Sequence, residues 1–346
     1  MGLTHNQTTT AAVLGTGLVI GAVAAGYYQY RKRVAEAYWN APFVSVGKVN
    51  RLNLFPIKSG KPIQTEWLDC TDRGVAYGEN KDRHFLVVDA KTDHRFLTAR
   101  TYPKLVLIAA NVENNVLTVT VPGEPGVSVD LGDVVKRNDV RRGILHDKLT
   151  HDVGKLIENF LQVTGKREIR LLYSSDELPS ERDYDALGEF WHNPVPKHRG
   201  KPAYQDLCEY LLCTESSVDD LNSKLAQLDD DKATVSMLNF RPNIGVDGPP
   251  PYDEDKWLNV RIGEVEFSCF KPCTRCVLTT VDPESGTFLK NLQPLRLLRE
   301  FRLAPEGRLR NLYGQSPIFG VNMFIVTPGR IRIGDEVQVQ YKPSPY

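Results

Sequence analysis

From Asn6 to Tyr30 the chain carries no charged residue, and Ala11 to Tyr28 (AAVLGTGLVIGAVAAGYY) is apolar without alternation. A stretch of this length lies near the lower end of the ~17–25 residues that cross a bilayer as a helix. Tyr27, Tyr28 and Tyr30 stand where an aromatic belt would meet the headgroups, and Arg31-Lys32-Arg33 follows with no Lys or Arg ahead of the run. The pattern therefore predicts a membrane anchor in residues 1–33, with one transmembrane helix and the rest of the chain on the cytosolic side. A cleaved signal peptide would carry its positive charges before the apolar run, and Asn6 breaks the myristoylation pattern.

Beyond residue 44 the period changes. Phe85–Asp89, Lys104–Val112, Val116–Val121 and Ile169–Tyr173 are short and rich in β-branched residues, with turn-forming groups between them. Phe324–Val326, Arg330–Ile333 and Val337–Tyr341 continue the pattern around Pro328-Gly329. The echo of Arg261-Ile262-Gly263-Glu264 in Arg332-Ile333-Gly334-Asp335 predicts two strand–turn–strand corners. Helical spacing appears at Val153, Leu156, Ile157, Phe160 and Leu161, and again at Val218, Leu221, Leu225 and Leu228. Residues 176–200 read as a polar crossing and 245–256 as an exposed, proline-rich loop. The expected class is α+β with a dominant antiparallel, barrel-like sheet. An N-terminal β-rich part over 34–175 and a C-terminal part over 176–346 would follow the anchor.

Lys plus Arg and Asp plus Glu number 43 each, with no long block of one sign, so nucleic acid is not an expected partner. Three of the six cysteines, Cys269, Cys273 and Cys276, crowd together, which favours a reducing compartment over a disulfide scaffold. The C-x-x-C at Cys273–Cys276 has no second pair to complete a zinc site. Too few further thiolates accompany it for an iron–sulfur cluster. Val277–Val281 reads as a strand where a thioredoxin-type dithiol would begin a helix. Buried structural thiols and a single soft metal ligand both stay open on spacing alone, and Arg275 would favour the thiolate.

Three other segments suit an anionic ligand. Lys58-Ser59-Gly60 forms a tight turn able to gather a hydroxyl, an ammonium and backbone N–H groups on a phosphate. Arg83 enters a strand, and Arg241 precedes Pro242, which predicts extended backbone at Arg241. No Gly-x-Gly-x-x-Gly, P-loop or Gly-x-Ser-x-Gly is present.

Read together, Phe-Pro-Ile-Lys-Ser-Gly (55–60), Asp-Arg (82–83), Leu-Thr-Ala-Arg (97–100), Phe-Arg-Pro-Asn (240–243), Cys-Thr-Arg-Cys-Val-Leu-Thr-Thr-Val-Asp-Pro (273–283) and Gly-Gln-Ser-Pro-Ile-Phe-Gly (314–320) resemble one family. It is that of the molybdenum-cofactor sulfurase C-terminal (MOSC) domain proteins, and within it the mitochondrial amidoxime-reducing components. The resemblance spans roughly residues 44–342. It implies a molybdopterin cofactor whose molybdenum is held by Cys276, with Lys58, Ser59 and Arg83 on the phosphate. Asp206, Arg241, Asn243, Thr274 and Arg275 would contact the pterin. It also implies reduction of amidoximes and hydroxylamines with electrons from cytochrome b5 and its NADH-dependent reductase, at the mitochondrial outer membrane facing the cytosol. Where relatives carry Asp-Thr-Ser-Pro this chain has Asp206-Leu207-Cys208-Glu209, a change in the expected pocket wall. The alternative reading is a molybdenum-cofactor carrier or sulfur-transfer protein without reductase turnover; a third is a metal-free membrane adaptor.

Overall fold

A computed structural model describes residues 25–29, 40–138, 140–141, 147–150, 152–162, 167–176, 178, 200–228 and 233–342. Seven strands close into a barrel in the order Ile244–Asp247, Tyr210–Thr214, Ile318–Thr327, Val265–Thr274, Trp257–Ile262, Glu336–Tyr341 and Val44–Leu54, the last pairing back onto the first. Only the pair Tyr210–Thr214 with Ile244–Asp247 is parallel. Closure removes exposed edges, and the alternation seen in the sequence decides what goes inside. Val265, Phe267 and Cys269 face Val321, Met323 and Ile325 and fill the barrel with Trp257, Val260, Val337 and Val339.

The strand Val44–Leu54 lies far in sequence from the other six, so the barrel is stitched from both ends of the chain. Both echoed corners are turns: Gly263 has φ 56° between Trp257–Ile262 and Val265–Thr274, and Gly334 has φ 88° between Gly329–Arg332 and Glu336–Tyr341. A second core forms where the strands Phe85–Asp89 and Ile169–Tyr173 pack against the helix Asp152–Leu161 and the hairpin Ala109–Glu113/Val116–Thr120. Its helix buries Val153 and Ile157, the residues at four-residue spacing.

Four expectations need correction. The transmembrane helix over Ala11–Tyr28 is not supported: no helix among the described residues is long and apolar enough to cross a membrane. Helical residues 25–29 would rise only about 7 Å of the ~30 Å needed, with Tyr27 and Tyr28 exposed, and the rest of that segment with Arg31–Arg33 lies outside the described residues. Lys104–Val112 is not one strand but a 3-10 turn, Pro103–Leu107, followed by the strand Ala109–Glu113, because Pro103 starts a turn. Val277–Thr280 is likewise a 3-10 turn. The stretch 245–256 is not an exposed loop throughout: it contains the end of a barrel strand and a 3-10 turn, Asp253–Lys256, whose three acids are buried. Arg302 pairs with Asp255 at 2.6 Å, and the hydroxyl of Thr214 donates to Glu254 at 3.0 Å, so these acids are compensated. The crossing expected over 176–200 lies almost wholly outside the described residues.

Candidate active site

Between the two cores a cavity of about 400 Å³ opens, and all nine residues singled out from the sequence line it: Lys58, Ser59, Arg83, Asp206, Arg241, Asn243, Thr274, Arg275 and Cys276. They arrive on five separate segments, Asp206 on a stretch just before the strand Tyr210–Thr214. Lys58 and Ser59 occupy the turn after the first barrel strand, closed by a bond from Gly60 N to Ile57 O at 2.9 Å and clamped by Lys58 N to Phe85 O at 2.8 Å. Arg83 stands just before the strand Phe85–Asp89, Arg241 in the turn before Ile244–Asp247, and Cys276 just past the end of Val265–Thr274.

Ser59, Arg83 and Arg241 have φ of 66°, 53° and 55°. Arg241 is therefore not extended, as its place before a proline predicts. Its amide donates to Leu238 O at 3.2 Å, its guanidinium Nη1 donates to Gly60 O at 2.9 Å, and these bonds hold it in the left-handed region. Three non-glycine residues at positive φ on one cavity wall cost about 1–3 kcal/mol each, strain that the packing around them must offset.

Phe55, fully buried, organises two of the cations. The guanidinium of Arg241 lies 4.1 Å from its ring centroid and that of Arg83 lies 4.5 Å away. Behind them sits Asp82, only 1% exposed. Its Oδ1 accepts from Phe55 N at 2.9 Å and from Asn243 Nδ2 at 3.1 Å, and its Oδ2 accepts from Arg83 Nη1 at 2.5 Å. Its carbonyl accepts from Gln205 Nε2 at 2.9 Å, which ties in the Asp206 segment. Burial and the neighbouring Arg83 together pull the Arg241 pKa down to about 9, while Asp82 and Asp206 oppose the fall. Asp206 bonds to Lys58. Partial burial works against its ionisation, yet Lys58, with Arg100 and Arg83, outweighs this and holds the carboxyl below its ordinary range.

The lining carries the cations Lys58, Arg83, Arg100, Arg241, Lys271 and Arg275 against the single carboxylate of Asp206. A neutral chain thus concentrates positive charge at one concave place, which selects a small anionic ligand. Arg241 Nη2 is buried with no hydrogen-bond partner among the described residues, a donor that an anion would satisfy. Cys276 adds a half-buried free thiol to the same wall. A phosphate-bearing molybdenum cofactor, which needs anion donors and a soft sulfur ligand together, fits this donor set.

Two of the expected contacts are engaged elsewhere. Asn243 donates to Asn53 O and Asp82, and accepts from Leu211 N, so its amide fastens the turn. Arg275, 7% exposed, donates to Phe319 O through Nε and Nη2, to Phe240 O through Nη1 and to Cys213 Sγ. Its guanidinium joins the 240–243 turn to the strand Ile318–Thr327 and fixes the backbone that carries Cys276. The neighbouring Gly320, φ 77°, leaves no room for a side chain: a Cβ there would sit 2.6 Å from both Cys213 Sγ and Leu212 O. Gly320→Ala is expected to cost roughly 2 kcal/mol or more in urea unfolding, and a loss below about 0.5 kcal/mol would contradict this packing.

Sequence reading missed Asp82, Gln205 and Lys271. For Asp82 the signal was present in the Asp-Arg pair, whereas nothing local marks the other two.

Residues 199–338 match the MOSC domain family and residues 46–163 match the MOSC N-terminal beta barrel domain family. The chain is 31% identical to mitochondrial amidoxime-reducing component 1 of Mus musculus, over 96% of this chain and 92% of that protein. It is 32% identical to mitochondrial amidoxime reducing component 2 of Rattus norvegicus, over 96% and 93%. To component 1 of Homo sapiens it is 30% identical, over 94% and 91%.

Proposed function

Because the chain belongs to the family of MOSC-domain amidoxime-reducing components, we propose that it is a molybdenum-dependent reductase of N-hydroxylated compounds with Cys276 as its ligand to the metal. The observation that carries this reading is the shared cavity, in which a free thiol and six cations converge. Lys58, Ser59 and Arg83 would take the phosphate, Arg241 would supply its unpaired Nη2, and Asp206 and the Thr274 hydroxyl would orient the pterin. Asn243 and Arg275 act behind them, holding the turn and the Cys276 backbone.

When bound, the molybdenum cofactor supplies a centre that cycles by two electrons and accepts an oxygen atom. The overall change, R–C(=NOH)NH2 plus two electrons and two protons to R–C(=NH)NH2 plus water, breaks one N–O bond. The chain contributes orientation in a concave, cation-lined cavity. No flavin or haem motif is apparent in the sequence, so electrons come from an external donor, for which we propose cytochrome b5 and its NADH-dependent reductase. We also assign it to mitochondria, in keeping with the relatives' names.

The test is reduction of benzamidoxime by purified protein with cytochrome b5, its reductase and NADH. Benzamidine formation that needs every component is expected. Bound molybdopterin with no benzamidine, even with a chemical reductant, would favour the cofactor-carrier alternative and overturn the reductase reading.

A further inference from the structure

The turn that follows Cys276 is covered by one exposed stretch of chain. Leu289 N donates to Thr280 O at 2.7 Å and Asp282 N to Thr287 O at 2.8 Å, so residues 287–290 lie directly against Val277–Thr280. The helix Leu295–Phe301 packs on the same turn and buries Leu295, Leu297 and Leu298. Its exposed side carries Arg296 and Arg299, three residues apart and therefore neighbours on one face. Arg299 Nε donates to Gln315 O at 3.1 Å, and the next residue, Ser316, lines the cavity. This surface therefore lies within about one helix diameter, ~10–12 Å, of the turn that begins at Cys276.

At its centre are two apolar side chains, Phe288 and Leu292, 43% and 50% exposed. Asn291 and Leu292 have φ of 52° and 56°, and for a bulky leucine such backbone is a genuine outlier. Strained backbone that presents an apolar side chain to water stabilises nothing in the isolated fold, and strain of this kind gathers where a partner is bound. Around the two apolar residues stand the exposed cations Lys290, Arg296 and Arg299. Several cations elsewhere are matched, Arg330 by Asp69, Lys81 by Asp176 and Arg51 by Glu215, whereas Lys290 and Arg296 have no ion pair among the described residues. The acids nearby are Glu300 on the helix and Asp282 and Glu284 in the adjoining turn, and Asp282 already accepts from Glu284 N and Ser285 Oγ. An apolar centre with a charged rim has the anatomy of a protein contact, and the sign of this rim selects an acidic partner.

We propose that Phe288, Lys290, Leu292, Arg296 and Arg299 form the docking surface for an acidic one-electron carrier protein. Two carrier molecules, each oxidised by one electron in turn, supply the two electrons for each N–O bond reduced. Electron transfer between proteins falls steeply with distance, and this surface brings a carrier close to the Cys276 end of the cavity. The inference rests on the reductase reading for the need of a donor, and on the surface alone for the donor's charge and place of contact.

The test uses the purified holoprotein with benzamidoxime and cytochrome b5, kept reduced by its reductase and NADH. Wild type is compared with Lys290→Glu/Arg296→Glu, Leu292→Ser and, as a distant control, Arg137→Glu on the helix Leu131–Arg137 of the second core. The double reversal is expected to raise KM for cytochrome b5 about tenfold or more at low ionic strength, and added salt should narrow the gap by weakening wild type. Leu292→Ser should raise it several-fold, and Arg137→Glu should leave it unchanged. Reduction driven by dithionite, which needs no docking, should match wild type in every variant. Calorimetric titration with oxidised cytochrome b5, which needs no turnover, should show the same order in Kd. An unchanged KM in either surface variant, an equal rise in Arg137→Glu, or an equal loss with dithionite overturns the docking surface. So does binding to phosphatidylserine vesicles that the reversal abolishes while carrier kinetics stay as in wild type, which would assign the patch to a lipid surface. Cytochrome b5 binding that the reversal abolishes, with no amidoxime reduced under either reductant, upholds the surface and sinks the reductase reading. Amidoxime reduction with dithionite, without cytochrome b5 binding to wild type, sinks the surface and leaves the reductase reading standing.

Discussion

Cys276→Ser is expected to lower amidoxime reduction at least about 100-fold, beyond the loss typical of altering a group that merely supports a metal ligand. A thiolate is a soft, polarizable donor available near neutral pH, whereas a serine hydroxyl is hard and stays protonated. The substitution changes one atom on a half-buried wall, so the fold should be unaffected and the thermal midpoint close to that of wild type. Cys273→Ser provides the contrast. The only contact of Cys273 Sγ among the described hydrogen bonds is a long one to Thr274 O at 3.8 Å, and replacing it should cost activity only a few-fold. Steady-state rates with benzamidoxime, at matched protein concentration, separate the two cysteines. Equal losses in both variants would contradict the assignment.

The second large effect is expected at a residue that touches no ligand. Asp82→Ala removes the carboxylate that accepts from Phe55 N, Asn243 Nδ2 and Arg83 Nη1. Two guanidiniums then remain against one Phe55 ring with their buried counter-charge gone. Breaking one side of such a pair costs about 3–5 kcal/mol because the surviving charge stays buried. Arg83 keeps some access to solvent, its side chain being 13% exposed, so the lower figure of about 3 kcal/mol is expected in urea unfolding. The turn 240–243 should loosen as well, and the purified variant should retain less cofactor than wild type. A stability loss under about 1 kcal/mol would show that the network is not held by this carboxylate.

The strands with unbroken alternation or β-branched runs, such as Phe85–Asp89 and Ile169–Tyr173, were legible because one period decided their fate. Val277–Thr280 was not. Val-Leu-Thr-Thr-Val has the composition of a strand, but the hydroxyl of Thr279 donates to Cys276 O at 3.0 Å and that of Thr280 to Val277 O at 2.7 Å. These local bonds accompany a tight turn that composition does not announce. The left-handed Arg241 escaped for a related reason, since partners distant in sequence, Gly60 and Phe55, hold it.

The cationic cavity was legible only through motifs. Its six charges are spread from Lys58 to Arg275 in a chain of balanced charge, so no local window shows an excess. Lys271 was hidden more deeply. Its placement depends on a bulge that shifts the side-chain parity of a barrel strand, and a one-residue register change is invisible to a pattern of period two.

The central claim, a molybdenum centre held by Cys276 in this cavity, is tested most directly by metal analysis of protein purified from a host that makes the molybdenum cofactor. Wild type should carry stoichiometric molybdenum together with pterin, and Cys276→Ser should carry far less metal while remaining folded. Wild type without molybdenum, or a serine variant that keeps both its metal and its activity, would contradict it.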